Sequence, residues 1–120
     1  DLEASWFDDT TVHLHVPAGA TPKDGPSAGI AMATALVSLA SGRAPRRDLA
    51  MTGELTLTGQ VYPVGGIREK LVAARRQCVR TVLLPEANRR DVDEIPAHVV
   101  ARLDIRFVRT FAEVLAAAFP

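Results

Sequence analysis

Ile67-Arg68-Glu69-Lys70-Leu71-Val72-Ala73-Ala74-Arg75-Arg76-Gln77-Cys78-Val79-Arg80-Thr81-Val82-Leu83-Leu84 changes its hydrophobic pattern part-way, and that change decides the fold class. Ile67, Leu71, Ala74 and Cys78 recur at helical spacing, while Arg68, Glu69, Arg75 and Arg76 fall elsewhere around the wheel. This predicts an amphipathic helix with Cys78 in its buried stripe. Val82-Leu83-Leu84 is a continuous apolar run and reads as a short buried strand. Upstream, Thr58-Gly59 marks a turn between extended segments Glu54-Leu57 and Gln60-Val64, and Gly65-Gly66 ends that unit. Downstream come a short polar helix over Asn88-Glu94, a strand over Leu103-Val108 and an apolar helix over Phe111-Phe119, opened by the capping-box pair Thr110 and Glu113. Strands alternate with helices, so the expected class is α/β, a single domain with flanking helices and a sheet made mixed by the hairpin.

Nearer the N-terminus, Thr11-Val12-His13-Leu14-His15-Val16-Pro17 alternates apolar and polar residues, which predicts a half-buried strand ended by Pro17. Gly19 to Gly25 cannot continue a strand, and the small and aliphatic residues from Ser27 to Ala40 follow it. The reading is a loop handing over to a helix, with Pro26 at the first helical position and Gly42 as the left-handed cap. That helix is apolar nearly all round and is expected to be largely buried.

A chain of 120 residues is about one domain's worth, large enough to bury a hydrophobic core. Its composition, 48% hydrophobic and 23% charged, is that of a globular protein rather than a disordered one. Fourteen basic residues balance fourteen acidic ones, so no overall field draws the chain to nucleic acid or anionic lipid. The arginine clusters Arg43, Arg46, Arg47 and Arg89, Arg90 stand beside Asp48 and Asp91 and read as solvated surface. Cys78 is the single cysteine, which excludes an internal disulfide and fits a reducing compartment. No apolar run approaches the length of a membrane span, and the acidic start does not resemble a signal peptide, so a cytoplasmic setting is expected.

The segment Pro22-Lys23-Asp24-Gly25-Pro26-Ser27-Ala28-Gly29 puts a hydroxyl at the mouth of a helix, where unpaired N–H groups and the positive dipole end favour an anion. Ser27 there serves either as a residue satisfying a helix donor or as a nucleophile whose own N–H, with a neighbour's, stabilises an oxyanion. A nucleophile needs a base. The candidates are His13, His15, His98 and Lys70. Lys70 lies roughly 60° from the apolar stripe of its helix, counting about 100° per residue, so its head is expected to be partly buried; a lysine snorkelling at the edge of that face is the other reading. His13 and His15 share a strand face, but no acidic or cysteine ligand stands at a zinc spacing, and no metal is expected.

Taken together, Lys23-Asp24-Gly25-Pro26-Ser27-Ala28-Gly29, Met51-Thr52-Gly53-Glu54, Gly59-Gln60-Val61 and Pro63-Val64-Gly65-Gly66-Ile67-Arg68-Glu69-Lys70 resemble the successive signatures of the Lon proteolytic domain, in order and separation. The likeness continues through Leu84-Pro85, Asn88 and the Asp91 to Pro96 segment. It implies an α/β fold of Lon proteolytic-domain type over residues 1–120, lacking the N-terminal part of that domain. It also implies a serine endopeptidase working through a Ser27–Lys70 dyad and an acyl-enzyme, without a catalytic histidine. Thr52 matches the threonine that hydrogen-bonds near the lysine, Asp24 the acidic position before the serine, and His15 a position close to the site. The same resemblance implies homo-hexameric rings, unfolded polypeptide substrates and an AAA-type ATPase module as partner, with ATP and magnesium serving that module. The proteolytic domain itself is expected to hold no cofactor. Gly-x4-Gly-Lys-Ser/Thr, the nucleotide-binding motif of such a motor, does not occur in this chain.

Two other classes compete. One is a noncatalytic Lon-like domain serving assembly or DNA repair, against which the presence of both Ser27 and Lys70 argues. The other is a small-molecule kinase of related fold holding phosphates at a helix N-terminus; Asp24 and Pro26 interrupt the glycine-serine run such a loop needs.

Overall fold

The computed structural model describes residues 2–17 and 26–120. Its elements are α1 (Trp6–Asp9), α2 (Gly29–Ser41), β1 (Leu49–Met51), β2 (Glu54–Leu55), β3 (Val61–Tyr62), α3 (Ile67–Arg76), β4 (Thr81–Pro85), a 3-10 turn (Glu86–Asn88), α4 (Arg89–Asp93), α5 (Ala97–Val100), β5 (Asp104–Val108) and α6 (Phe111–Ala118). Among the described residues β1, β4 and β5 form a parallel sheet in the order β1-β4-β5, and β2 and β3 pair antiparallel in a hairpin of their own. The α/β class holds, with the two kinds of pairing in separate sheets.

Every residue of β4 is buried, because helices cover both faces of the central strand. Leu83 packs with Ile30 of α2, Val61, Val108 and Val114 of α6. Its neighbours Val82 and Leu84 point the other way, against Ile67, Leu71 and Ala74 of α3. Strand alternation thus divides the core into two halves, one on each face. The hairpin joins the first half through Val61, and Gly53, at its entrance, has no room for a side chain: a Cβ there would stand 2.7 Å from Val61 Cγ1.

The structure corrects several expectations. Residues 11–17 form no strand; no neighbouring chain pairs with them among the described residues, and Leu14 and Val16 are exposed. Alternation specifies which face a strand would bury, but a ladder partner is needed to form one. Helix α2 begins at Gly29 with Ala28 as its cap, so Pro26 and Ser27 precede it. Gly42 does cap it in the left-handed conformation, φ 68°. Within α2 only Ile30 and Thr34 are buried, whereas Leu39 remains 60% exposed. A single sheet face with α6 beside it covers one stripe of this helix and no more.

Cys78 is exposed rather than packed inside. Helix α3 stops at Arg76, so the helical spacing no longer applies at residue 78. Cys78 takes the left-handed conformation, φ 58°, with Cys78 N–H bonded to Arg75 O and Val79 N–H to Ala74 O. That pair of bonds is a Schellman closure, with cysteine where glycine is usual.

Candidate active site

The C-terminal end of β1 gathers the site, as expected for an open α/β sheet, whose ligand crevices lie beyond the carboxyl ends of the strands. Thr52 directly follows β1 and is buried. Its backbone N–H reaches Leu83 O, which extends the β1–β4 contact by one residue. Three bonds then tie this strand end to the chain entering α2. Gly53 N–H donates to Ser27 O at 2.9 Å, Thr52 Oγ1 donates to the same carbonyl at 3.1 Å, and Ile30 N–H donates to Gly53 O at 3.2 Å. Ser27 is therefore fixed from its C-terminal side by its own carbonyl. Among the described residues its hydroxyl makes no hydrogen bond to the backbone N–H groups that open α2, and the cap position itself is Ala28. The helix-donor reading of Ser27 loses its support there.

Lys70 is the fourth residue of α3 and leans back across the start of the helix. Its Nζ donates to Thr52 Oγ1 at 3.0 Å and to Gly65 O at 3.1 Å. Gly65 O is offered to it by the turn before α3, which depends on Gly66 in the left-handed conformation, φ 70°. Lys70 is half-buried, and burial pushes its pKa below the ordinary lysine value without help from any charged neighbour. The hydroxyl proton of Thr52 is committed, because Ser27 O can only accept. Thr52 Oγ1 therefore meets Lys70 as an acceptor.

Ser27, Thr52 and Lys70 line one cavity of about 410 Å³. The rest of its wall is mostly apolar: Ala28 and Ala31 from the α2 side, Ala73 and Ala74 from α3, Met51 and Val82 from the sheet. No hydrogen bond joins Ser27 Oγ to Lys70 Nζ among the described residues.

A sequence model of the Lon protease (S16) C-terminal proteolytic domain matches residues 1–120. The chain belongs to that family. Lon protease of Erwinia amylovora is 56% identical over 117 residues, covering 98% of this chain and 15% of the relative. Lon protease of Escherichia coli K12 has the same identity and coverage. A mitochondrial Lon protease homolog of Zea mays is 53% identical over 114 residues, covering 95% of this chain and 12% of the relative. The chain thus spans 12% to 15% of the length of these curated relatives.

Of the residues that the Lon resemblance singled out, the structure brings Ser27, Thr52 and Lys70 together. Asp24 lies outside the described residues. His15 is exposed in the irregular segment before residue 17 and does not line the cavity. His13 is exposed beside it, and His98 on α5 contributes its backbone carbonyl to the Arg75 guanidinium. None of the three histidines lines the wall that holds Ser27. Among the described residues no group of three or more His, Cys, Asp or Glu is placed to hold a metal ion, and no helix is long and apolar enough to cross a membrane.

Sequence reasoning missed two contributors. Gly65 acts through its carbonyl, which no residue-type pattern reveals. Gly53 acts by its lack of a side chain, allowing the strand end to lie against Ile30 and Val61. The only local signal for either was its place in a glycine-containing motif.

Proposed function

We propose that this chain is the serine endopeptidase core of a Lon-type protease, cleaving peptide bonds through Ser27 and Lys70. The observation that carries the reading is the hydrogen bonding of Lys70. A neutral amine has two N–H bonds and one lone pair. Thr52 Oγ1 and Gly65 O are both acceptors towards it, so they take the two N–H bonds and leave the lone pair free. The cavity shared with Ser27 is where a serine proton would meet that lone pair. Burial favours the neutral form that this role requires.

In acylation the Ser27 hydroxyl proton passes to Lys70 Nζ as Oγ bonds to the substrate carbonyl carbon. Negative charge moves to the carbonyl oxygen and is met by backbone N–H groups at the entrance to α2, favoured by the positive end of that helix. The C–N bond then breaks, and Lys70 returns the proton to the leaving amine. Water attacks the resulting ester with Lys70 again as base, releasing a carboxylate and restoring Ser27. Thr52 holds the amine in register, and Asp24 and His15 are assigned supporting places near the site by resemblance alone. Unfolded polypeptides are the proposed substrates. An AAA-type ATPase module, using ATP and magnesium, would unfold and deliver them to homo-hexameric rings. The single cysteine supports the cytoplasmic setting included in this reading.

The test uses an unstructured fluorogenic peptide. Ser27→Ala and Lys70→Arg should each reduce turnover by at least about a thousandfold, since an arginine keeps the charge but does not deprotonate. The parent's rate should rise with pH through the lowered Lys70 pKa and then level off, because the neutral amine is the base. Substantial activity in Lys70→Arg would remove the dyad. So would a profile following a group near about pH 6.5 that disappears on mutating His13 or His15.

A further inference from the structure

We infer that Asn88, in the 3-10 turn after β4, is a positioning residue for the Lys70 amine, acting through the Val64-Gly65-Gly66 turn. Asn88 is 3% exposed and does not line the cavity that holds Ser27. Its side-chain amide grips both backbone groups of a single residue: Oδ1 accepts from Val64 N–H at 3.0 Å, and Nδ2 donates to Val64 O at 2.9 Å. The two Val64 bonds fix which end of the amide is which, and the second Nδ2 hydrogen goes to Asp91 Oδ2 at 2.7 Å. A side chain here does what a neighbouring strand would do, holding one peptide residue at two points.

The residue after Val64 is Gly65, whose carbonyl accepts from Lys70 Nζ, and the next is Gly66, whose carbonyl accepts from Lys70 N–H. Two successive glycines have little conformational stiffness of their own. The direction of Gly65 O therefore has to be imposed from outside the turn, and the Asn88 clamp is what imposes it. The groups bonded to Lys70 Nζ, Thr52 Oγ1 and Gly65 O, are uncharged, and its nearest titratable neighbour on α3 is Glu69. Burial alone depresses its pKa. Loosening the turn admits water to the amine and removes that depression.

The inference rests on Lys70 as the proposed base, but its primary readout does not require catalysis. Lys70 is titrated by NMR of its labelled side chain in the parent, in Asn88→Ala, in the paired exchange Asn88→Asp with Asp91→Asn, and in Asp91→Ala. The paired exchange keeps the acceptor for Val64 N–H and the contact between residues 88 and 91, and loses the bond to Val64 O. The Lys70 pKa should move up towards the ordinary lysine value in the first two variants and stay at the parent value in Asp91→Ala. With the unstructured peptide, Asn88→Ala should lose about tenfold to a hundredfold in kcat, as expected for a small misplacement of a reacting group, with KM nearly unchanged. A folded Asn88 variant with an unshifted Lys70 overturns the inference. Failure of both Asn88 variants to fold overturns it too, since Asn88 would then hold the whole domain rather than one turn. An active Ser27→Ala variant would instead sink the dyad while leaving the titration result standing.

Discussion

Helices α2 and α3 flank the same sheet and meet at the same cavity, yet they are built on opposite rules. Helix α3 has a narrow apolar stripe, and Ile67, Leu71 and Ala74 from that stripe are all buried. Helix α2 contains no charged side chain, and only Ile30 and Thr34 are buried. The difference is one of information. A stripe tells the helix which face to bury, so sequence and packing agree on α3. An unstriped apolar helix leaves its rotation to its neighbours, and here Ile30 and Thr34 are selected by their contacts with the sheet rather than by hydrophobicity.

The largest expected effect measures that contrast directly. Leu71 is completely buried, so Leu71→Ala should cost about 2–5 kcal/mol of stability. Leu39→Ala, on the outer face of α2, should stay within about 0.5 kcal/mol. Chemical denaturation of the two variants provides the comparison. Equal losses would show that α2 buries a second face in solution and that the two helices are not different in kind.

A smaller effect probes the join between α2 and the hairpin. Gly53→Ala would bring a methyl group to 2.7 Å from Val61 Cγ1 and 3.2 Å from Ile30 Cδ1. Overpacking of this kind costs about 1–3 kcal/mol. Because Gly53 N–H also holds Ser27 O, peptide turnover should fall more steeply than stability. A variant that loses stability but keeps full turnover would show that Ser27 is placed by something other than the end of β1.

The end of α3 offers a change in the opposite direction. A non-glycine residue in the left-handed region costs roughly 1–2 kcal/mol, of which glycine's greater freedom in the unfolded chain returns part. Cys78→Gly should therefore raise stability by about 0.5–1 kcal/mol, read as a shift in the denaturation midpoint without a change of slope. A destabilised variant would mean that the cysteine side chain packs more than its exposure indicates.

The regions that were legible in the sequence are those where one local pattern met one physical demand. The α3 stripe, the buried β4 run, the Thr110 cap and the Gly42 terminus all appear where expected, with Glu113 N–H bonded to Thr110 Oγ1 as the capping box requires. The misreadings share a cause as well. The strand over residues 11–17, the burial of α2 and the burial of Cys78 each depended on a partner element or an endpoint that local periodicity does not contain. At the site, residue types pointed to Ser27, Thr52 and Lys70 through resemblance to a family. The backbone carbonyls of Ser27 and Gly65, which set the direction of every hydrogen bond between them, carry no signature in the side-chain sequence.

The smallest expected effect returns to the contrast between the helices through pH. Helix α2 has no titratable side chain, whereas α3 carries Lys70 with a lowered pKa. At pH values below the folded-state pKa, Lys70 is protonated whether the chain is folded or not, and the fold bears the full cost of a partly buried ammonium. Above that value the folded state releases its proton while the unfolded state still holds one, until the ordinary lysine pKa of about 10.4 is passed. The unfolded chain binds more protons throughout that window, so stability rises with pH. Lys70→Met removes the titration. The stability of the parent relative to Lys70→Met should therefore increase as pH rises from the lowered Lys70 pKa towards about 10.4 and be flat below it. Because Lys70 is only half-buried, solvent screening keeps the change small. A difference that falls with rising pH would mean that the fold stabilises the ammonium, and Lys70 would then be an anchor for Thr52 and Gly65 rather than a base for Ser27.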